Sequence, residues 1–504
     1  MTSQLINYSH DRNANFKKSS DEFFESIEKF GEQRKLKDFF AYYEKRHSIP
    51  EEILKKYIKK YISLNYKYKS AQFEKRLRLM TLPLSIFKII GFLFLSLIYS
   101  RKHENKRHYN LIVDEIDLSL YLQRFSKLIN LFGKEDVLVI ATGEIDVSEF
   151  PDYNIKRLKL FKYHDRFEVL KVIYYELFFG FWIYLKTSIQ LNINLFQVSS
   201  SIIKTLLQYK SLFKSCSADY LLQERLYTTN PIKNYLFKES GGTATATMQK
   251  SMLELDYTSY YIDCDYFFSL GKRTAERAFH YGAKIDHVIP VGSLFMEYYW
   301  FSDPQKVDKN TDVIMLGINI MNEYERFDKY NGFMNDYYNS IRWLVRFKEE
   351  HSSYRVVIKH HSSARNDEIE NKIIKGSGVE VLPKSGNSYQ LAFNSLCNVS
   401  FGSTMGYELN AHGIPSFFSD PGNCCAFLPD PDDNLLNGIR LTSYDSFSVA
   451  LLGILEKHNT NTYWQGKRDD LCFHSSTVSE RIYKSLNEGN VKEVTNEIIK
   501  DKNI

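Results

Sequence analysis

Cysteine is scarce and carries no pattern in this chain. The six residues, at 216, 264, 397, 424, 425 and 472, include no CxxC spacing, which fits a reduced cytoplasm. A surplus of one charge is missing too. Lys and Arg number 66 against 61 Asp and Glu, a net charge of +5, so nucleic acid is not expected as a partner. The amino terminus, MTSQLINYSHDRN, has no apolar h-region, so no secretory signal is expected and the catalytic parts are expected to stay inside the cell. No repeat links the two halves. No dinucleotide fingerprint follows a strand either, because the pair Gly241-Gly242 comes after a helical stretch and reads as a helix stop.

What the chain has in quantity is aromatic side chains, 36 Tyr and 36 Phe, more than core filling needs and suited to handling sugars or sitting at a membrane interface. At 504 residues it should hold two or three domains of about 100 to 200 residues each. Residues 1–105 read as a helical region. Within it Leu82 to Tyr99, LPLSIFKIIGFLFLSLIY, is nearly all apolar and has Arg and Lys on both flanks. Its length is marginal for a span of about 20 residues, and Thr81, Ser85, Lys88, Ser96 and Tyr99 gather on one side of the helical wheel. We therefore expect it to lie in a membrane surface, with a spanning helix or a buried core helix as the alternatives.

From residue 106 the texture changes to short apolar runs alternating with helical stretches, the signature of an α/β fold. NLIVDE, DVLVIATG, ADYLLQE, TATATM, DYFFSLG and HVIPVGS read as strands of a first Rossmann-like domain over 106–300. DVIMLGIN, YRVVIK, VEVLPK, NVSFG and PSFFS read as strands of a second over 301–455, and 456–504 read as closing helices and tail. Ligands of open α/β sheets bind beyond the carboxyl ends of the strands. In the first domain Asp114, Glu115, Asp117, Glu144 and Glu224 fall there. A carboxylate at such a place can take the proton of an attacking hydroxyl, and Glu115 and Glu144 are the expected bases. In the second domain Gly317 and Asn319 follow a strand, with glycine allowing close approach of a donor phosphate, and Lys359, His360 and His361 end another. His361 is expected to meet a phosphate or base, where imidazolium chemistry suits a departing nucleotide.

The most informative stretch runs from Asn398 to Asn423, NVSFGSTMGYELNAHGIPSFFSDPGN. Ser403 or Thr404 would cap a helix that Gly413 and Pro415 stop. Gly406, costly in a first turn by about 1 kcal/mol, would be explained by a ligand approaching the backbone. Glu408 shares the Thr404 face one turn on, where its carboxylate can accept a ribose diol. The bland reading of Glu408 is a carboxylate that only compensates the helix dipole.

This stretch resembles the donor-nucleotide element of GT-B glycosyltransferases, in particular bacterial enzymes of capsule and lipopolysaccharide synthesis. His361-Ser362 and Ser403-Thr404 are similar in place to the His-Pro and serine elements of sialyl- and Kdo-type transferases, without the proline. Where such enzymes often carry Gln-His-Gly, this chain has Gln249-Lys250-Ser251. The resemblance implies two Rossmann-like domains facing a cleft. It also implies a nucleotide-sugar donor held by Gly317, Asn319, His361, Ser403, Thr404 and Glu408, and a glycan or glycolipid acceptor presented by the first domain. The protein would sit peripherally on the inner face of the cell membrane, with no cofactor or metal. Asp263-Cys264-Asp265 spells the DxD of the one-sheet, metal-dependent glycosyltransferases; two sheets are expected here, so it is read as surface carboxylates. The rival readings are a polyol-phosphate transferase, a sugar-nucleotide epimerase and a non-catalytic scaffold.

Overall fold

The computed structural model describes residues 25–66, 81–100, 106–158, 165–226, 229–250, 261–272, 283–302, 312–316, 333–361, 364, 366–385, 387–401, 403–422, 438–457, 472–473 and 477–487. Two wholly parallel sheets organise it. Strands β1 (Arg107–Leu118), β2 (Val137–Glu144), β3 (Asn154–Arg157), β4 (Cys216–Gln223), β5 (Ala244–Met248), β6 (Asp263–Ser269) and β7 (Lys284–Pro290) lie in the order β3-β2-β1-β4-β5-β6-β7. Strands β8 (Asp312–Leu316), β9 (Arg355–Lys359), β10 (Glu380–Leu382), β11 (Cys397–Ser400), β12 (Ser416–Ser419) and β13 (Arg440–Leu441) follow the order β10-β9-β8-β11-β12-β13. Each order reverses beside its first strand, between β1 and β4 and between β8 and β11, which is the doubly wound Rossmann arrangement. The GT-B-like fold of two Rossmann-like domains, expected from the alternation of runs, is what the chain adopts.

Parallel strands must be covered on both faces, which is why they read as continuous apolar runs. Ile112, Leu138, Ile140 and Leu221 of the first sheet face a helical layer built from residues 27–62 and 169–213. Leu111, Val113, Val137 and Val139 face the opposite side with Leu128, Ile129 and the helix Val478–Asn487. The second sheet buries Val313, Val356, Ile358 and Val399 against Tyr337, Ile341, Leu344 and Phe347 of the helix Phe333–Glu350. The last helix therefore leaves the second domain and returns to the first. Leu226 and Ile262 belong to a small core of their own beneath β6 and β7.

The helix Leu82–Tyr99 buries only one stripe, Ser85, Ile89, Leu93 and Ser96. Ser85 accepts a hydrogen bond of 2.9 Å from Asn194 Nδ2, so part of the polar side of the wheel is the side that packs. At the end of β1 the pairing to β2 shifts register after Val113 and again after Ile116, and Glu115 sits at a φ of 67°. A non-glycine residue there is strained by about 1 to 3 kcal/mol. The bulge lies beside the point where the sheet order reverses.

Candidate active site at the domain seam

The carboxyl ends of the first sheet converge on a pocket that the second domain closes. Arg124 and Phe125 line it after β1, Glu224 after β4, Met248, Gln249 and Lys250 at β5, Leu270 after β6, and Ser293, Leu294 and Phe295 after β7. Glu408 is the second domain's contribution. This is the place where open α/β sheets take ligands.

Arg124 is the most unusual group in the pocket. The helix Ser119–Arg124 turns it inward until only 6% of the residue is exposed. Its guanidinium carbon lies 3.1 Å from the Phe295 ring centroid and 4.3 Å from that of Tyr121, and its Nε has no hydrogen-bond partner. Burial pushes its pKa below the ordinary arginine value. A buried cation is costly unless an anion meets it, and the aromatic faces repay part of that cost. Lys250 adds a second positive charge, its Nζ 3.9 Å from the Tyr121 ring centroid and 3.4 Å from Glu224 Oε1. Glu224 also pairs with Arg225, which in turn pairs with Asp117.

Glu408 is 2% exposed and both its oxygens are engaged by hydroxyls. Ser293, from the segment after β7, donates to Oε1, and Tyr389 donates to Oε2 at 2.6 Å. Burial raises the Glu408 pKa, opposed by these two bonds and by the charge of Arg124. The Tyr389 ring is fixed by stacking on Phe295 at 5.4 Å and on Tyr299 at 5.0 Å. Two hydroxyls on one carboxylate is the pattern that a ribose diol would present. The Glu408 and Ser293 contact joins the two domains.

His361 follows β9 and is exposed at the surface. Desolvation first, then Lys250 and Lys359, holds its pKa below the usual histidine value. Its neighbour His360 is taken up inside the domain, Nε2 lying 2.8 Å from Glu370 Oε1. Lys359 donates to the carbonyls of Pro383, Lys384 and Ser385 at 2.6 to 2.9 Å.

Ser403 and Thr404 open the helix Met405–Ala411 as the sequence suggested. Ser403 Oγ accepts from the Met405 N–H at 3.3 Å, whereas Thr404 is already in helical conformation and makes no side-chain cap. The reason given for Gly406 needs correcting. A Cβ there would lie 2.8 Å from the Phe418 ring and 3.0 Å from Ser400 Cβ, so it is the sheet, not a ligand, that comes close.

Glu115 does not line the pocket. Its carboxylate lies 2.7 Å from the fully buried Lys233 Nζ, which also meets Asp114 at 2.9 Å. Burial works to lower the Lys233 pKa, and the two carboxylates outweigh it and raise it. Glu144 ends β2, opposite Leu118 in register, and its side chain lies outside the described residues, as do Gly317 and Asn319. Asp263 and Asp265 sit at the amino-terminal edge of β6, away from the pocket, paired with Lys56 at 2.9 Å and with Lys238. The helix Pro231–Glu239 does stop at the glycine pair, with Gly241 at a φ of 97°. Sequence reading missed Arg124, Ser293 and Tyr389, and it saw Lys250 only as a missing histidine.

Fold and pocket together define a protein of GT-B architecture with its candidate site at the seam of two Rossmann-like domains. No protein-family model and no curated protein matches the chain. Among solved structures it is similar to MnaA of S. aureus determined with UDP, at 12% identity and a TM-score of 0.46 over 75% of this chain and 96% of that one. It is also similar to the UDP-GlcNAc 2-epimerase of Neisseria meningitidis bound to UDP-GlcNAc, at 10% identity and a TM-score of 0.42 over 75% of this chain and 100% of that one. The wall teichoic acid polymerase TagF matches at 11% identity with a TM-score of 0.45, over 85% of this chain and 100% of that one. At such identities and TM-scores these likenesses decide nothing about activity.

Proposed function

We propose that this protein is a glycosyltransferase that moves a sugar from a nucleotide-activated donor to a lipid-linked surface glycan. The observation that supports this reading best is the pair of cations, Arg124 and Lys250, directed into a pocket at the carboxyl edge of a parallel sheet. A buried guanidinium with an unpaired Nε calls for an anion, and the donor phosphate is that anion. Glu408 takes the ribose hydroxyls in place of Ser293 and Tyr389. Ser403, Thr404 and His361 lie on the second domain's side, where the rest of the nucleotide is held.

The attacking acceptor hydroxyl forms its bond to the anomeric carbon, and the bond from that carbon to the phosphate oxygen breaks. The hydroxyl proton passes to a carboxylate; with Glu408 given to the ribose, Glu224 is the other one lining the pocket. Charge building on the leaving phosphate is met by Arg124, which is buried, and by Lys250, and donors in place before the charge develops are worth most. No metal or cofactor is assigned a part, so chelation should leave activity unchanged. The acceptor would reach the site from the inner face of the cell membrane, where Leu82–Tyr99 anchors the protein.

The test is thermal stabilisation by a panel of CMP-, UDP-, GDP- and CDP-activated compounds, followed by transfer assays with the compound that protects. A donor at 100 times its dissociation constant adds about 2.7 kcal/mol. Arg124→Met and Lys250→Ala should each weaken protection about tenfold or more in a folded protein, since a bond to a charged group contributes about 1.5 to 3 kcal/mol. Protection by CDP-glycerol alone would move the reading to polyol-phosphate transfer. Isomerised donor without acceptor would move it to epimerisation. Protection by nothing in the panel, or variants as well protected as the parent, would remove the pocket's assigned role.

A further inference from the structure

Exposed large apolar side chains are concentrated in two segments. Of the 21 among the described residues, seven lie on Leu82–Tyr99 and seven between Phe167 and Ile189, leaving seven for all the rest. The second segment comprises the helices Arg166–Tyr175 and Phe181–Leu191, joined without a break by the π-helical turn Glu176–Gly180. Leu82–Tyr99 packs against Arg166–Tyr175 and against Leu195–Ser215, so the exposed sides of the two segments adjoin.

A buried polar anchor fixes which side of the second segment faces out. Glu176 is 3% exposed. It accepts from Tyr42 at 3.0 Å and from Tyr184 at 2.6 Å, and it lies 3.1 Å from His47 Nε2. Gly180 lets these groups close, because a Cβ there would fall 2.6 Å from the Glu176 carboxylate. With Glu176 held inward at the π turn, Phe178 and Trp182 are left 65% exposed each, beside Phe87 at 72% and Phe94 at 61%. An apolar area of this extent marks an interaction surface.

The charges decide what it meets. The exposed charged residues of the two segments are Lys88, Arg166, Lys171 and Lys186, all basic. Lys186 pairs with Asp38 at 2.8 Å, and the other three have no acidic partner among the described residues. Of the two carboxylates in these segments, Glu168 is paired with Lys214 at 2.7 Å and Glu176 is buried. Aromatic and aliphatic side chains rimmed by basic ones match an anionic bilayer surface, which accepts the rings at headgroup depth and the cations beside its phosphates.

We propose that the segment Arg166–Leu191 is a second membrane-docking element, which lies in an anionic bilayer surface together with Leu82–Tyr99. The two form one docking face. Because Leu82–Tyr99 has Ile89 and Leu93 buried in the protein's own core, it lies along the surface and does not cross. The proposal rests on the membrane part of the reading above and not on the donor, so the two fail separately.

The test uses the full chain and vesicles of phosphatidylcholine with phosphatidylglycerol. Trp182 emission should shift to the blue on binding and be quenched by brominated acyl chains, and Trp182→Phe should remove the quenched component. Phe178→Ser with Trp182→Ser should cut vesicle partitioning about tenfold while thermal unfolding and donor protection stay as in the parent. Lys171→Glu, at an exposed position, should cut it severalfold at low salt. Partitioning within twofold of the parent in these variants, or unquenched Trp182, would overturn the proposal. So would a lipid-free dimer that the double variant converts to monomer, since the face would then belong to a second copy.

Discussion

Lys60 and Glu408 are both buried ionisable groups, and their environments push them in different ways with different consequences. Lys60 reaches from the helix Glu51–Tyr66 to the Leu226 carbonyl and the Thr229 hydroxyl, and burial brings its pKa down to about 7 from 10.5. Between those two values the unfolded chain holds a proton that the folded chain lacks, so stability falls as pH drops through that window and levels off below it. Lys60→Met should therefore raise the melting temperature at pH 7 and flatten its dependence on pH from 7 to 10. A melting curve that keeps the parental slope would show that Lys60 is not the group responsible. For Glu408 the folded pKa is raised, so the folded chain holds the extra proton. The cost of its buried charge is present above the folded pKa and is relieved as pH falls through it. Glu408→Gln should leave stability at pH 7 equal or higher, yet weaken nucleotide protection about tenfold, a loss of one charge-assisted pair of bonds. Weakened stability with unchanged protection would make Glu408 a structural acid only. The spacing from Thr404 was enough to put Glu408 on the right helix face. Its partners were not legible, because Ser293, 115 residues away, reaches it only across the domain seam, and Tyr389, 19 residues away, only through the packing of the helix Ser388–Phe393 on Met405–Ala411. Arg124 was illegible for the same reason, since nothing in a six-residue helix tells which side chain a distant Phe295 will cover.

At the scale of elements, most strands that announced themselves are buried on both faces, because their apolar runs are the direct consequence of a parallel sheet; the exception is the exposed edge strand β10, read from VEVLPK. The two that did not, β3 with the sequence NIKR and β13 with RL, are short edge strands with little apolar content. Helix Leu82–Tyr99 was legible in extent, and its wide apolar side does face away from the protein. That part of its polar side would pack inward depended on Asn194, which nothing local predicts. Gly406 shows how an element's geometry overrides a local reading. Its missing side chain makes room for the Phe418 ring of β12, so the helix Met405–Ala411 lies close on β11 and β12. Gly406→Ala forces a methyl group to 2.8 Å from that ring. It should cost about 1 to 3 kcal/mol as overpacking does, read as a fall in melting temperature, with donor affinity little changed. A tenfold loss of affinity at unchanged stability would return the glycine to the ligand.

At the scale of the molecule, two doubly wound sheets were legible because each repeats the same alternation of strand and helix, but the particular core that the closing helix enters was not. Helix Val478–Asn487 comes after the second domain in sequence and buries Val478, Ile482 and Leu486 in the core of the first. Tyr220 donates to its Leu486 carbonyl at 2.6 Å, and Glu297 accepts from the Ser479 N–H at 3.1 Å. Just before it, Phe473 donates its N–H to the Leu270 carbonyl at 2.7 Å. An amphipathic helix shows that it has an apolar stripe and not which core that stripe will enter. The first domain is therefore finished by the last described segment, and the two domains cannot behave as independent folding units in the intact chain. Ile482→Ala removes a fully buried side chain from this junction, for which about 2 to 5 kcal/mol is expected. Because the stripe belongs to the first core, hydrogen exchange should quicken in β1, β2 and the helix Ser126–Phe132 and remain parental in β9, β11 and β12. The matched substitution Leu451→Ala, in the second core, should reverse the pattern. Faster exchange confined to the second sheet in the Ile482 variant would mean that the helix stabilises its sequence neighbours and not the first domain.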